Sequence, residues 1–164
     1  MLPLMRRNVD ENKATRGAGE CAVEVAELTW GEPFPAAVRD GHWDLVLGSD
    51  LVYDEDCLTA LAKTLEGLFG ENNGRWRGDQ DAPCCLLALS DRAEFTVSLR
   101  DNTPDYAAFF DVLKRPEYGG FQVTRVHTVS AAVAQCASNI DVFLLERGKS
   151  SVARLIKISQ EELQ

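Results

Sequence analysis

The sequence predicts an α/β layer protein in which parallel strands, joined by crossover helices, are followed by an antiparallel β-hairpin. Two observations predict this class. Apolar runs typical of strands alternate along the chain with apolar residues at helical spacing, and the last two strand patterns lie close enough to pair directly. We expect the order helix, strand, strand, helix, strand, helix, strand, strand, within one domain of 164 residues.

Five segments have the patterns of strands. Residues 21–28 (CAVEVAEL) alternate apolar and acidic residues, as a half-exposed strand does. Residues 43–47 contain three consecutive aliphatic residues, which predicts a strand buried on both faces, and residues 84–89 (CCLLAL) predict a further buried strand. Residues 121–127 and 140–145 predict the terminal antiparallel pair.

Three segments have helical spacing, and a tail at 150–164 is weakly helical. The clearest helix has Asp54 as a plausible N-cap and Gly70 at its far end. Its apolar face comprises Leu58, Leu61, Ala62, Leu65, Leu68 and Phe69. An N-terminal helix over 2–14 aligns Leu2, Met5 and Val9, and a helix opened by Thr103 and Pro104 has an inner face of Tyr106, Phe109, Phe110 and Leu113.

Composition excludes several classes of protein. The net charge of −9, with acids spread along the chain, argues against a nucleic-acid-binding surface. The 5 cysteines include no C-x-x-C pair and only 2 histidines are present, so neither a disulfide framework nor a metal site is expected. No apolar run approaches the roughly 20 residues that a membrane span requires. A reducing cytoplasmic setting, or a nuclear one, fits this cysteine usage.

Polar residues follow the predicted strands at the edge where open α/β sheets bind ligands. Ser49 and Asp50 follow the second strand, Arg92 follows the third, and Trp30 follows the first. An acid in this position can cap a helix or take part in chemistry. Asp54 is the better cap for the helix that follows, so Asp50 has no obvious structural task and becomes a candidate catalytic residue. Arg92 remains either a structural ion-pair partner or a substrate contact.

Four segments resemble one known family. LVLGSDLVYDED (45–56) resembles the D-x-x-Y signature of the seven-β-strand (class I) protein-lysine methyltransferases, the family that includes the valosin-containing-protein lysine methyltransferase. LPLMRRNVDEN (2–12) is similar to the helix of that family which ends in paired asparagines, and AELTWGE (26–32) to its W-G segment. SDRAEF (90–95) and DYAAFFDVLKRPEYGGFQVTRV (105–126) are similar to its following stretch.

The resemblance implies a function and a set of site residues. It implies methyl transfer from S-adenosyl-L-methionine to a protein lysine by a Rossmann-like class I methyltransferase domain. Trp30 is implied at the adenosyl group, Ser49 and Asp50 beside the methionine and the incoming lysine, and Tyr53 as a wall of the lysine channel. The implied partner is a lysine-bearing protein substrate, bound by a monomer that engages neither nucleic acid nor membrane. Asn8 and Asn12 either contact the cofactor or merely end their helix.

The resemblance also implies that part of the family fold is missing. The glycine-rich loop and the acid that binds ribose hydroxyls have no counterpart here, because Gly17-Ala18-Gly19 precedes a strand instead of following one. We therefore expect a partial methyltransferase domain over 1–147, lacking the first two strands, and a tail over 148–164. Such a chain is expected to bind S-adenosylmethionine poorly and to be inactive by itself, with methyl transfer carried out as part of a complete chain.

Two other functions remain open from the sequence. The chain could be a non-catalytic methyltransferase-like module kept for protein binding, or another α/β enzyme that uses an adenosyl or nucleotide group. Neither the substrate protein nor the number of methyl groups transferred can be inferred from these residues.

Overall fold

The computed structural model describes residues 1–12, 22–41, 43–52, 55–70, 83–90, 106–134 and 139–147, together with residues 153 and 156. Its elements in chain order are α1 (Leu2–Asn12), α2 (Ala36–Arg39), β1 (Leu45–Ser49), α3 (Glu55–Phe69), β2 (Cys84–Ser90), α4 (Tyr106–Leu113), a 3₁₀ turn (Pro116–Tyr118), β3 (Gln122–Val129), α5 (Ala131–Ala134) and β4 (Ile140–Glu146). The predicted cap Asp54, the predicted helix start at Thr103 and Pro104, and nearly all of the 150–164 tail lie outside the described residues.

The four strands form one open sheet in the order β1-β2-β4-β3. β1 runs parallel to β2, with Leu45 opposite Cys84 and Ser49 opposite Ala88. β4 lies antiparallel to β2 and pairs on its other side with β3 to form an antiparallel hairpin. The predicted α/β class and the terminal hairpin are confirmed, and the open sheet is consistent with a partial Rossmann-like fold.

One face of the sheet packs against α3 and α4. The apolar spacing of α3 buries its predicted inner face, and α4 contributes Phe109 and Leu113, both completely buried. Aromatic rings fill the space between helices and sheet, with ring centroids 5.1 Å apart for Phe69 and Phe121 and 4.5 Å apart for Phe110 and Phe143. Edge-to-face contacts of this kind favour one fixed arrangement of the rings. We call this set of residues the helix-side core.

The opposite face carries a smaller apolar cluster. Cys84, Val126, Leu144 and Ala153 are buried together, with Ile156 packed against them. Cys84 is the first residue of β2 and Leu144 lies opposite Leu86, whereas Val126 lies level with Leu87 and Ala88. Towards the end of β2, the side chains on this face are only partly buried.

The strand predicted over residues 21–28 is wrong for residues 22–28, which the structure describes without any strand. The alternation of apolar and acidic residues there is typical of a strand, but a strand is stable only when a neighbour receives its hydrogen bonds. The described residues provide no neighbour for this segment, and Val23 and Leu28 remain 47% and 37% exposed.

The strand predicted over 43–47 exists but begins at Leu45, and its expected burial on both faces is wrong. Within the described part of the chain, β1 has a strand neighbour on one side only. Val46 contacts the helix-side core, whereas Leu45 and Leu47 on the opposite face are 37% and 71% exposed. The consecutive aliphatic residues of β1 therefore bury side chains on one face of the sheet and expose them on the other.

The hairpin contains a β-bulge that organises a buried carboxylate. The pairing of β3 with β4 shifts between Arg125 and His127, and this shift sets Thr128 directly opposite Asp141. Asp141 is only 4% exposed. Its carboxylate accepts hydrogen bonds from the hydroxyls of Thr128 and Tyr106, the latter at 3.0 Å. A guanidinium nitrogen of Arg125 lies 3.8 Å from an oxygen of the same carboxylate. The buried charge therefore has two hydrogen-bond donors and a counter-ion.

None of the helices among the described residues is long and apolar enough to cross a membrane. No group of three or more histidine, cysteine, aspartate or glutamate side chains in the same residues could hold a metal ion.

Candidate functional site

The carboxyl end of β1 carries the two polar residues on which the sequence argument depended. Ser49 is the last residue of the strand and is exposed, and Asp50 follows it, also exposed. The backbone N–H of Asp50 donates to the carbonyl oxygen of Ala88 at 2.9 Å, which continues the parallel pairing by one residue. Asp50 then leaves the strand with φ of 53°, in the left-handed region that residues other than glycine, asparagine and aspartate avoid.

Packing explains this unusual backbone at Asp50. A Cβ atom on Gly48 would lie 2.7 Å from both Leu51 and Leu87 side-chain carbons, so Leu51 occupies the space above the glycine. Val52 is 6% exposed and belongs to the helix-side core. The chain must therefore reverse within a residue or two to bury both aliphatic side chains, and the left-handed turn at Asp50 makes that reversal.

Trp30 lies on a tight turn that packs against α3. The N–H of Glu32 donates to the carbonyl oxygen of Thr29 at 3.3 Å, and Gly31 has φ of 79°, the positive value that the third residue of a type II turn requires. The N–H of Gly31 donates to the Thr64 hydroxyl of α3 at 2.8 Å. Trp30 itself is half-buried, and its side chain contacts the helix-side core.

The turn that carries Trp30 and the end of β1 both lie near the first turns of α3. α3 begins at Glu55, five residues after Asp50, so its first turns lie at the carboxyl edge of β1. A Cβ on Gly31 would come within 3.3 Å of Ala60, which places the turn about 7.5 Å along the axis from the start of α3. The segment continues along the helix, because the Phe34 ring lies 2.9 Å from the position of a Cβ on Gly67.

A shallow depression lies on the open face of the sheet beside the strand end. Its volume is about 280 Å³, close to the lower limit for sites that enclose a small molecule. Its lining residues are Leu47, Gly48, Ser49, Leu86, Ala88 and Val142. The lining is apolar apart from Ser49, so it suits a flat or aliphatic group and provides no charge for ribose or carboxylate recognition.

The structure thus places Ser49 and Asp50 at the carboxyl end of β1, and Trp30 on a turn that packs against α3 at Ala60 and Thr64. Tyr53 and Arg92 lie outside the described residues. The side chain of Asn12 donates to the Asn8 carbonyl oxygen at 2.7 Å, which is the contact expected if this residue ends its helix. Sequence reasoning missed Thr64. The available signal was a hydroxyl residue set among Leu61, Ala62 and Leu65 on an apolar helix face.

The described thiols differ in accessibility. Burial, with a smaller contribution from the neighbouring Cys84, raises the pKa of Cys85 to about 12. A thiol with so high a pKa carries almost no thiolate at neutral pH and is a poor nucleophile. Cys57 is half-buried in the first turn of α3, and Cys84 and Cys85 are buried, as the buried strand predicted over 84–89 requires.

An open α/β sheet with a polar strand end and an aromatic turn at its carboxyl edge is the architecture of ligand-binding α/β proteins. A family model described as lysine methyltransferase matches residues 1–96 of the 164, a span that contains Trp30, Ser49 and Asp50. The chain therefore belongs to the lysine methyltransferase family, as the sequence resemblance predicted.

Individual relatives agree with this family. Protein N-lysine methyltransferase METTL21A of Danio rerio is 45% identical over 67 residues, which cover 41% of this chain and 29% of that protein. The protein of the same name from Mus musculus is 35% identical over 102 residues, covering 59% of this chain and 44% of the mouse protein. UPF0665 family protein C23C4.06c of Schizosaccharomyces pombe is 30% identical over 71 residues, 43% of this chain and 20% of its own length. The chain thus matches less than half of the length of each of these relatives.

Proposed function

We propose that the chain takes part in S-adenosylmethionine-dependent methyl transfer to a lysine side chain of a protein substrate. One observation carries the proposal: within the family-matched region, Asp50 is held with φ of 53° at the carboxyl end of β1, exposed beside Ser49. Packing fixes the backbone there, while the carboxylate stays accessible. That combination is expected of a residue selected for its charge at a defined position.

The described residues fit part of the cofactor. On the open face of the sheet, Ser49 offers a hydroxyl and the depression beside Gly48 an apolar surface, and Trp30 offers an aromatic side chain from the helix side. When bound, S-adenosylmethionine supplies a methyl group on a positively charged sulfur, and the thioether leaves with the bonding electron pair. No acid lines the described depression, so the affinity of this chain for the cofactor is expected to be weak.

The residues of the chain then have distinct tasks. The lysine must attack as a neutral amine, and the Asp50 carboxylate is placed to orient that amine and to stabilise the positive charge on nitrogen after transfer. Tyr53, assigned from the sequence, would wall the channel, since an aromatic face suits a methylated ammonium. Alignment and exclusion of water provide most of the rate enhancement for an in-line displacement of this type.

Substitution of Asp50 by asparagine tests this proposal. Asp50→Asn removes the charge but keeps a residue that tolerates the left-handed backbone, so fold and chemistry are separated. The substitution is made in a chain completed with the family's cofactor-binding strands, and with cofactor labelled in its methyl group we expect the wild type of that chain to label lysine in protein substrates. Asp50→Asn is expected to lower that labelling about 100-fold.

The matched control is Asp56→Asn, which makes the same change at an exposed acid in the first turn of α3. It should label like the wild type. Equal labelling by wild type and Asp50→Asn would reject the role of Asp50.

A second function, a non-catalytic module for protein binding, is favoured by one observation. Leu47 is 71% exposed on the open sheet face, beside partly buried Leu86 and Val142. Exposed apolar surface of this kind marks interaction sites. A wild-type chain that labels no lysine even when completed with the cofactor-binding strands would support this function over methyl transfer.

A further inference from the structure

Thr64 is a polar residue on the buried face of an apolar helix. It is 4% exposed, and its hydroxyl is used in both directions. It donates to the carbonyl oxygen of Ala60 at 2.9 Å, the back-bond that a threonine in a helix commonly makes. That bond fixes the rotation of the hydroxyl. The hydroxyl oxygen in turn accepts a hydrogen bond from the N–H of Gly31 at 2.8 Å. The second bond reaches a residue 33 positions away and is not needed by the helix.

The turn that carries Trp30 fits closely onto α3. Where the turn and the segment after it contact α3, the helix has only small residues: Ala60, Thr64 and Gly67, spaced four and three residues apart. Gly31 approaches Ala60 so closely that an added Cβ would lie 3.3 Å from its backbone and side chain, and Phe34 occupies the space beside Gly67. The two contacts set the distance between segment and helix, and the Thr64 hydroxyl sets the direction of the turn.

We infer that Thr64 is a positioning residue, which fixes the orientation of Trp30 by holding the N–H of Gly31 against α3. Trp30 immediately precedes Gly31 in the turn, so rotation of the Gly31 peptide moves the indole. The functional consequence of this inference rests on the proposed function. If Trp30 contacts the adenosyl group of the cofactor, holding its side chain in one orientation before the cofactor arrives favours binding. Preorganisation of that kind lowers the entropy lost on binding.

Fluorine NMR of the 164-residue chain labelled with 5-fluorotryptophan tests the inference without requiring activity. Trp30→Phe assigns the Trp30 resonance by its disappearance. Thr64→Val, which keeps the shape of the side chain and removes the hydroxyl, should shift or broaden the Trp30 resonance. Trp43 serves as an internal reference, because its indole N–H donates to Val38 at 3.2 Å and is independent of Thr64. Hydrogen exchange at the Gly31 amide should accelerate roughly tenfold in the same variant.

Three further variants make the result specific. Thr64→Ser restores the hydroxyl and should return the Trp30 resonance to its wild-type position. Thr59→Val makes the matched change on the exposed side of α3 and should leave it unmoved. Gly31→Ala disturbs the same turn through the backbone and its contact with Ala60, and should displace Trp30 as Thr64→Val does.

The outcomes separate this inference from the proposed function. An unchanged Trp30 resonance and Gly31 exchange rate in Thr64→Val overturn the inference, whatever the chain catalyses. A Trp30 resonance that S-adenosylmethionine does not affect in the wild type rejects the cofactor role of Trp30, and Thr64 is then judged on the ligand-free spectra alone. A cofactor-dependent shift that weakens in Thr64→Val and recovers in Thr64→Ser supports both.

Discussion

The two faces of the sheet differ in how completely they are covered. On the helix side, α3 and α4 bury a continuous core that includes Phe109, Leu113 and Leu87, each completely buried. On the other side, a small cluster around Cys84 and Leu144 covers part of the sheet, and Leu45 and Leu47 of β1 remain exposed. Both faces carry aliphatic side chains in similar density, so the difference lies in what packs on them and not in the residues themselves.

The comparison explains why the candidate site is well defined. Each of its parts is anchored on the helix side: Val52 and Trp30 contact that core, Leu51 packs beside Leu87, and Gly31 is bound to Thr64. None of these contacts depends on the open face. The geometry around Asp50 should therefore tolerate changes on the open face and fail with changes to the helix-side core.

Truncation of Phe109 should give the largest effect. Phe109→Ala removes a completely buried ring from the helix-side core and should lower the free energy of unfolding by about 3–5 kcal/mol. Val133→Ala, at a side chain 75% exposed, should change it by less than about 0.5 kcal/mol. Urea titrations of both variants measure this, and equal losses would show that the two environments do not differ.

Removal of the Tyr106 hydroxyl should have a moderate effect. Tyr106→Phe deletes the 3.0 Å hydrogen bond to the buried Asp141 carboxylate and keeps the ring that packs against Phe143. Because the acceptor is charged, we expect a loss of about 1.5 kcal/mol in the same titration. A loss below about 0.5 kcal/mol in Tyr106→Phe would show that this hydrogen bond does not stabilise the fold.

Cys85 should make stability depend on alkaline pH. Its pKa rises from 9.0 in the unfolded chain to about 12 in the fold, so above pH 9 the unfolded chain loses a proton that the folded chain retains. Its contribution is complete below pH 9 and is lost as pH rises towards 12, by about 1 kcal/mol between pH 7 and pH 10. Cys85→Ala should flatten that part of the stability curve, and Val142→Ala, a truncation without a thiol, should keep it. A wild-type slope unchanged by Cys85→Ala would contradict the prediction.

The smallest effect is expected on the open face. Leu47→Thr introduces a β-branched side chain, which suits a strand, and removes exposed apolar surface, so the free energy of unfolding should change by less than about 0.5 kcal/mol. Leu87→Thr, the same substitution at a fully buried position of β2, should cost several times more. If Leu47→Thr proves equally costly, the open face is covered in solution.

Local patterns predicted the elements whose stability is local. The spacing of Leu58, Leu61 and Leu65 predicts α3 because a helix satisfies its own hydrogen bonds, and the short separation of β3 and β4 predicts their hairpin. Residues 22–28 have an equally clear pattern but need a neighbouring strand, which sequence alone does not supply. The run of aliphatic residues at 45–47 is likewise compatible with burial of one face or of both, so the sequence could not predict that one face of β1 is exposed.

The site was predictable to the same extent. Ser49 and Asp50 were identified because a strand end has a recognisable pattern, and Trp30 through its resemblance to the W-G segment. Thr64 was not identified: a hydroxyl on an apolar helix face marks the residue as unusual, but its partner is 33 residues away in the chain, so the sequence does not show what it contacts. The left-handed backbone of Asp50 was not predicted either, since it arises from the chain reversal that buries Leu51 above Gly48 and Val52 in the helix-side core.

The bulge in β3 gives the hairpin a reserve of chain length. Between Arg125 and His127, β3 contains one residue that has no partner in β4. The pairs that follow, including Thr128 with Asp141, are therefore shifted by one residue relative to the pairs before it. Loss of one residue at this point would turn the bulge into regular pairing and leave those later pairs on their present faces. A one-residue deletion elsewhere in a strand reverses the side on which every following side chain lies, so β3 can vary in length where its neighbours in the sheet cannot.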